Sequence, residues 1–261
     1  MSGLQRRPRG FSFVSLAGLA VCGALAGGVV GPARGADLAA GDVRARIEAA
    51  GDAPADLVAL DLSGLDLAGL DFRGANLRGS ILKGANLEGA AFADANLDLV
   101  NFRDANLRGA DLRGASAFSA IFAGADLRGA QMSGAALVAN FERANLEGAD
   151  LEGAVMAADM SNQSMGLIRA RLPKAKAAGA NLTGVALSRC TAEFADFTGA
   201  ILVGADLSRC ELAGADLTGA DLSGADLTMA DLEGARLIDI KGKDSIVGLD
   251  QAENLDRASF E

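Results

Sequence analysis

Residues 215–219 read Ala215-Asp216-Leu217-Thr218-Gly219, and residues 75–79 read Ala75-Asn76-Leu77-Arg78-Gly79. The same order of small, Asn or Asp, large apolar, polar and glycine runs through most of the chain between and around them. From Leu57 a large apolar residue stands at every fifth position: Leu62, Leu67, Phe72, Leu77, Leu82, Leu87, Phe92, Leu97, Phe102, Leu107, Leu112, Phe122, Leu127, Met132 and Leu137, with Ala117 the one exception. Neither regular element can use a period of five. Five helical residues turn through about 500°, so an apolar stripe would spiral off any face, and an odd step along a strand would alternate faces. The chain must therefore change direction about every five residues. Glycine recurs two places after the apolar residue, as at Gly64, Gly69 and Gly74, where a tight corner favours a residue without Cβ. Four such sides close a square coil of 20 residues, and stacked coils pair as parallel strands about 4.8 Å apart.

These units resemble the A(D/N)LXX repeat of pentapeptide repeat proteins. The resemblance runs from about Ala55 to Asp239. It implies an all-β solenoid, a right-handed quadrilateral parallel β-helix of about nine coils, with the central Leu or Phe and the Ala two places earlier pointing inward. Such a rod is on the order of 40 Å long. In this register Phe72 stacks over Phe92 and Phe102 over Phe122 as core.

Four segments follow. Residues 1–36 have the layout of a secretory signal: Arg6, Arg7 and Arg9 without an acid, an uncharged apolar run from Phe11 to Val30, then Gly31-Pro32-Ala33-Arg34-Gly35-Ala36. Cleavage near Gly35 or Ala36 would place the mature chain in the periplasm or outside the cell. The alternative is an uncleaved membrane anchor formed by residues 11–30. Residues 37–54 read as a short capping helix, with Asp42 as N-cap and Val43, Ile47 and Ala50 on one face. The repeat occupies residues 55–239. Its register breaks near 138–171, in steps of four (Leu137 to Phe141, Met156 to Met160) and seven (Met160 to Leu167) that sum to no net slip. Residues 158–176, with the cations Arg169, Arg171, Lys174 and Lys176, read as a bulge or loop within one rod, or as a junction between two stacked rods. Residues 240–261 leave the repeat and read as a helical C-terminal cap with Val247, Leu249, Leu255 and Phe260 as its apolar contacts.

The 261 residues include 34 glycines and no His, Trp or Tyr, which excludes His-based catalysis and removes much of the stacking platform for bases or sugars. The net charge of -10 is the reverse of a nucleic-acid-binding footprint. Loss of residues 1–36 takes away four arginines and no acid, deepening the charge to -14. No nucleophile elbow, phosphate loop, C-x-x-C or calcium loop is present, so no catalytic residue, metal site or cofactor is expected.

Acids concentrate toward the C-terminal coils. Asp196, Asp206, Glu211, Asp216, Asp221, Asp226 and Asp231 are the candidate interaction surface, with Asp206 aligned on Asp226, Glu211 on Asp231 and Asp196 on Asp216. Such columns attract cations or a basic protein, although Asp is also the repeat's ordinary outward residue and keeps a rod soluble. Cys190 and Cys210, 20 apart, occupy inward positions normally filled by Ala. Their stacking distance suits a disulfide, but parallel side-chain vectors aim poorly for one. Two buried thiols acting as larger alanines is the favoured reading, with the disulfide as the alternative.

The leading expectation is a non-enzymatic exported rod that scaffolds an unknown, possibly basic, protein partner, without nucleic acid and without membrane once the leader is removed. Oligomeric state is left open. The resemblance implies a second reading, an acidic duplex mimic that binds a type II topoisomerase, which requires a cytoplasmic location. A third, a β-helix enzyme acting on acidic polysaccharide, has only the cations at 169–176 to hold its substrate.

Overall fold

Backbone hydrogen bonding explains why five residues make one side of the coil. The computed structural model describes residues 36–51, 53–157 and 169–261, and within it the unit Ala95–Leu99 leaves no N–H without a partner. Ala95 donates to Phe92 O (3.0 Å) and closes the preceding corner. Asn96 donates to Ala75 O in one neighbouring coil (2.9 Å), while Leu97 and Leu99 donate to Ser116 O (2.6 Å) and Phe118 O (2.9 Å) in the other. The Asp98 N–H is left over, and the Asn96 side-chain oxygen accepts it at 3.1 Å. The same short loop of side chain onto backbone forms at Asp71, Asn101, Asp111, Asn145 and Asp231. Asn and Asp recur in the repeat because they satisfy a donor that neither the corner nor the ladder reaches.

Four columns of parallel bridges define the sides. The first contains Asn76, Asn96 and Ser116; the second Ile81, Asn101 and Ile121; the third Asn86, Asn106 and Asp126; the fourth Ala91, Asp111 and Gln131. The chain is a β-solenoid. Inward Leu and Phe, and the Ala two places before each, are buried, including the exceptional Ala117.

The ladder crosses the register break on every side, through Asn140–Arg171, Asn145–Lys176, Asp150–Asn181 and Val155–Ala186. The described coils thus form one continuous ladder, not two separate ones. The step of four after Leu137 is a shortened corner that pairs Ile121 with Asn140, and Arg171 to Lys176 are already back on the coil, so the break is narrower than 158–176. Met160 and Leu167, which carried the compensating steps, lie outside the described residues. So does the leader read in residues 1–36, apart from Ala36. Among the described residues no helix is long and apolar enough to cross a membrane.

The core follows the register. Phe72 and Phe92 stack at 4.8 Å, Phe102 and Phe122 at 4.9 Å, and the shortened corner adds Phe141 over Phe122 at 4.9 Å. Phe92 meets Phe102 edge-on at 6.0 Å and 79°, which joins the two stacks. Cys190 and Cys210 stack in the inward small position of the second side, with Cα atoms 4.6 Å apart and sulfurs touching.

Both ends are covered by apolar side chains. Helix α1 spans Ala40–Ala50 with Ala39 as N-cap, so Asp42 is three residues inside and is not the cap. Its carboxylate instead accepts the Ala39 N–H (3.1 Å), because Ala39 has no side-chain oxygen to do the capping and the free donors of a first turn attract an acid. Val43 is fully buried, and Leu38, Ile47 and Ala50 pack on the core. The other end corrects the expectation of a helical cap. The tail stays on the ladder, pairing Lys241, Val247, Glu253 and Ser259 with Asp221, Asp226, Asp231 and Arg236, so each side lengthens from five residues to six. The extra residue makes a single 3-10 turn at Lys243–Ser245, Leu249–Gln251 and Leu255–Arg257. Six-residue sides carry Ile246, Leu249, Leu255 and Phe260 onto the last coil, while Val247 points outward at 52% exposure, because it holds the outward bridge position. Gly248 begins one of these turns at φ +66°, and a Cβ there would lie 2.8 Å from Thr228 Cα.

Removing the middle ring of the longer stack with Phe122→Ala should cost about 3–5 kcal/mol, read as a lower urea midpoint. Phe194→Ala, whose ring is 64% exposed, should change it by less than about 0.5 kcal/mol.

Candidate interaction surface

The ladder stacks Asp206 on Asp226, Glu211 on Asp231 and Asp196 on Asp216. These pairs occupy different sides: Asp206 and Asp226 the first, Glu211 and Asp231 the second, Asp196 and Asp216 the third, and Asp221 the fourth. The acids ring the rod and do not form one acidic face. Most of them also have a structural task. One oxygen of Asp196, Asp206, Asp216, Asp221, Asp226 and Asp231 accepts the backbone N–H two residues on, at 2.8–3.1 Å. The Ser223 hydroxyl and N–H hold the Asp221 carboxyl below its ordinary value.

Neutralisation differs along the rod. Toward the N-terminus, Arg73, Arg113 and Arg128 fold back onto Asp71, Asp111 and Asp126 of their own sides, each through two guanidinium nitrogens. Amide donors interleave with the acids, as Asn86 donates to Asp66 (2.8 Å) and Asn106 to Asn86 (2.9 Å). In the C-terminal coils Asp206 and Asp226 follow each other with Ser208 and Thr228 as neighbours. Arg236 reaches Asp216 (3.0 Å), and Arg169 reaches Glu211 (2.8 Å).

The corners carry a feature that the sequence reading passed over. Apart from the shortened corner after Leu137, each described five-residue side ends in a residue of positive φ, a conformation that disfavours a side chain by about 1 kcal/mol or more. The corner from third to fourth side is glycine at 69, 89, 109, 129, 148, 179, 199 and 219 and becomes Asp239 only at the last, while the second-to-third corner mixes glycine with Asp104, Arg143, Lys174 and Phe194. The corner from first to second side instead carries Ala59, Leu99, Ser119, Arg189, Arg209 and Met229, at φ 54–61°, with Gly79 alone as glycine. The shortened corner at Val138–Asn140 falls on this same edge. The signal was present in the sequence, as non-glycine residues at the corner position 20 apart.

On this edge Arg169, Arg189 and Arg209 line an open groove of about 440 Å³ with Met229, Glu211, Asp231 and Glu253. Arg169 spans from its corner to Glu211, touching Arg189 O (3.4 Å) on the way. Thr191, between Arg171 and Glu211 in the ladder, is 5% exposed and its hydroxyl has no hydrogen-bond partner. The Asp206–Asp226 column flanks the arginine edge on one side and the Glu211–Asp231–Glu253 column on the other. The cations read as one cluster are dispersed: Arg169 joins this groove, Arg171 sits on the second side, Lys174 at the following corner, and Lys176 on the third side below Asp196. Among the described residues, no three acids or cysteines are grouped to hold a metal ion.

The pentapeptide-repeat family model matches in eight copies, over residues 55–94, 95–134, 139–158, 167–202 and 200–237. The chain belongs to the pentapeptide repeat family. Similar solved structures include HetL, a pentapeptide repeat protein involved in heterocyst differentiation regulation from the cyanobacterium Nostoc sp. strain PCC 7120. It is 28% identical over 85% of this chain and 94% of its own, with a TM-score of 0.43. The plasmid-mediated fluoroquinolone resistance protein QnrB1 is 22% identical over 70% and 92%, with a TM-score of 0.49. A pentapeptide repeat protein of the Arabidopsis thaliana thylakoid lumen is 22% identical over 76% and 77%, with a TM-score of 0.12. No match is found among curated proteins.

Side-chain hydrogen bonds from Arg73, Arg113 and Arg128 hold Asp71, Asp111 and Asp126 below their ordinary carboxyl value of 3.8. A depressed folded-state value stabilises the fold above the unfolded value and is lost as pH falls through the folded one. The urea midpoint should therefore hold between pH 7 and 5 and fall below about pH 4. The triple substitution of these aspartates by Asn should make that fall shallower, and equal falls in both proteins would contradict the pairing.

Proposed function

We propose that the chain is an exported, non-enzymatic rod that scaffolds a protein partner along the first-to-second edge of its acidic C-terminal coils. A right-handed four-sided helix of about nine coils, closed by the widened last turn, would present that edge as a straight stripe. The observation that carries the reading is the run of Arg189, Arg209 and Met229 through three successive coils at corners of φ 56–61°, on the edge where glycine is rarest. Backbone strain kept on one edge and avoided on another calls for a reason outside folding. The arginines there lie between two carboxylate columns. A basic partner surface would meet Asp206, Asp226, Glu211 and Asp231, while carboxylates of the partner would meet Arg189 and Arg209, which fixes register and orientation more than raw affinity. Asp196, Asp216 and Asp221, on the other sides, serve solubility and turn formation.

Export rests on the order of charges and apolar residues in 1–36. Cell fractionation with the mature N-terminus determined by mass should find the protein in the periplasm or medium, beginning near Gly35 or Ala36. Mature protein in the cytoplasm would reject export and favour the topoisomerase-binding duplex mimic.

The edge has a discriminating test in the double substitution Arg189→Gly and Arg209→Gly. Relief of two strained corners should raise the unfolding free energy, measured by urea titration, by about 1 kcal/mol per site, while cross-linked capture of the partner from exported-protein extracts drops at least tenfold. Unchanged capture by the more stable variant would reject this edge as the interface.

A further inference from the structure

We propose that Cys190 and Cys210 are joined by a disulfide that staples two adjacent coils while the rod folds. Three observations converge. Thr191 and Glu211, the residues next to the cysteines, are ladder partners, and the cysteine Cα atoms are 4.6 Å apart, inside the range that a disulfide bridges. The structure rotates the side chains until the sulfurs meet, which answers the objection that parallel side chains would aim past each other. The inward small position of this side is Leu60, Ser80 and Val100 in the first coils and Ala at 120, 139, 170 and 230, so thiols take the place of Ala at two successive coils.

The reduced alternative also has a place in the fold. Cys210 Sγ lies 2.9 Å from Leu187 O, as the Ser80 hydroxyl donates to Leu57 O (2.5 Å) in the same column. Burial decides when the bond can form. Cys190 and Cys210 are 1% and 0% exposed. Exchange requires a thiolate to attack an accessible disulfide sulfur, and the stacked coils admit none. The bond therefore forms before these coils close. One cysteine thiolate attacks a disulfide-bearing oxidant, giving a mixed disulfide; the second displaces the oxidant as a dithiol, and two protons and two electrons leave the protein thiols. Once closed, the same burial protects the bond from reductants. The inference rests on the coil geometry, and the export reading supplies the oxidising compartment.

Trypsin cleaves after Arg189, Arg209 and Arg236, so each cysteine begins its own peptide, 190–209 or 210–236. Full-length chain refolded with a glutathione redox buffer and digested under alkylating, non-reducing conditions should yield these two peptides cross-linked, and reduction should separate them. Individually alkylated peptides from the refolded protein would overturn the disulfide. A cross-link formed on refolding but missing from protein isolated from its native compartment would overturn the export reading instead. The double substitution Cys190→Ala and Cys210→Ala restores the column's usual residue and should fold. It should melt roughly 5–10 °C below the oxidised wild type, and a reductant present during unfolding should bring the wild type down to it without moving the variant. Coincident melts without reductant would also overturn the staple.

Discussion

The rod depends on one constraint, that a coil only 20 residues around has to supply acceptors for the backbone donors of its five-residue sides. The two neighbouring coils and the preceding corner take four. The fifth has no backbone partner in reach, and where the second position is Asn or Asp its side chain supplies one, as Asn96 does for Asp98. Once this is met, the remaining residue types follow. The inward central position needs a large apolar group, the position two earlier has room for Ala, and the last residue must adopt positive φ. A repeat is therefore a hydrogen-bonding unit first and a hydrophobic one second, and the chain can copy it indefinitely because each copy contacts only its neighbours.

The same constraint separates structural acids from those available to a partner. An Asp that closes its own turn has one oxygen committed, so the acidity of the C-terminal coils arises in part from ordinary repeat construction. What distinguishes those coils is that, among the described residues, no basic or amide side chain bonds the Asp206–Asp226 column, while Arg169, Arg236, Asn254 and Arg257 still answer Glu211, Asp216, Asp231 and Glu233. The folded-back arginines of Arg73, Arg113 and Arg128 and the interleaved amides of Asn86 and Asn106 give way to Asp stacked on Asp. Arg189 and Arg209 stand at the first-to-second corner, away from the ladder and at positive φ, while Arg236 answers Asp216 on the third side.

Both ends solve the problem of an open coil with enlarged apolar side chains. The first coil carries Leu60, Leu65 and Leu70 where later coils mostly carry Ala, and Val43 and Ile47 of helix α1 join the same core. The last coil achieves the same by taking six residues per side, which keeps its ladder to the preceding coil and turns Leu249, Leu255 and Phe260 onto the core. A period of six escaped a reading tuned to five, so the tail looked like a departure from the coil. The added Phe141 ring was hidden similarly, because the shortened corner shifts the pairing from 20 to 19.

The period, the inward set, the pairing of residues 20 apart and the stacking of Asp206 on Asp226 were all legible in one dimension. They are consequences of spacing, and spacing is a property of the sequence. Which side an acid faces, which corner collects Arg189, Arg209 and Met229, and that the shortened corner shares that edge required the folded coil. These are relations around the rod's circumference, and two insertions or deletions before a residue are enough to change its neighbours. The meeting of the Cys190 and Cys210 sulfurs is of the same kind, since register brings their backbones together while side-chain rotation, set by packing inside the coil, brings their sulfurs into contact.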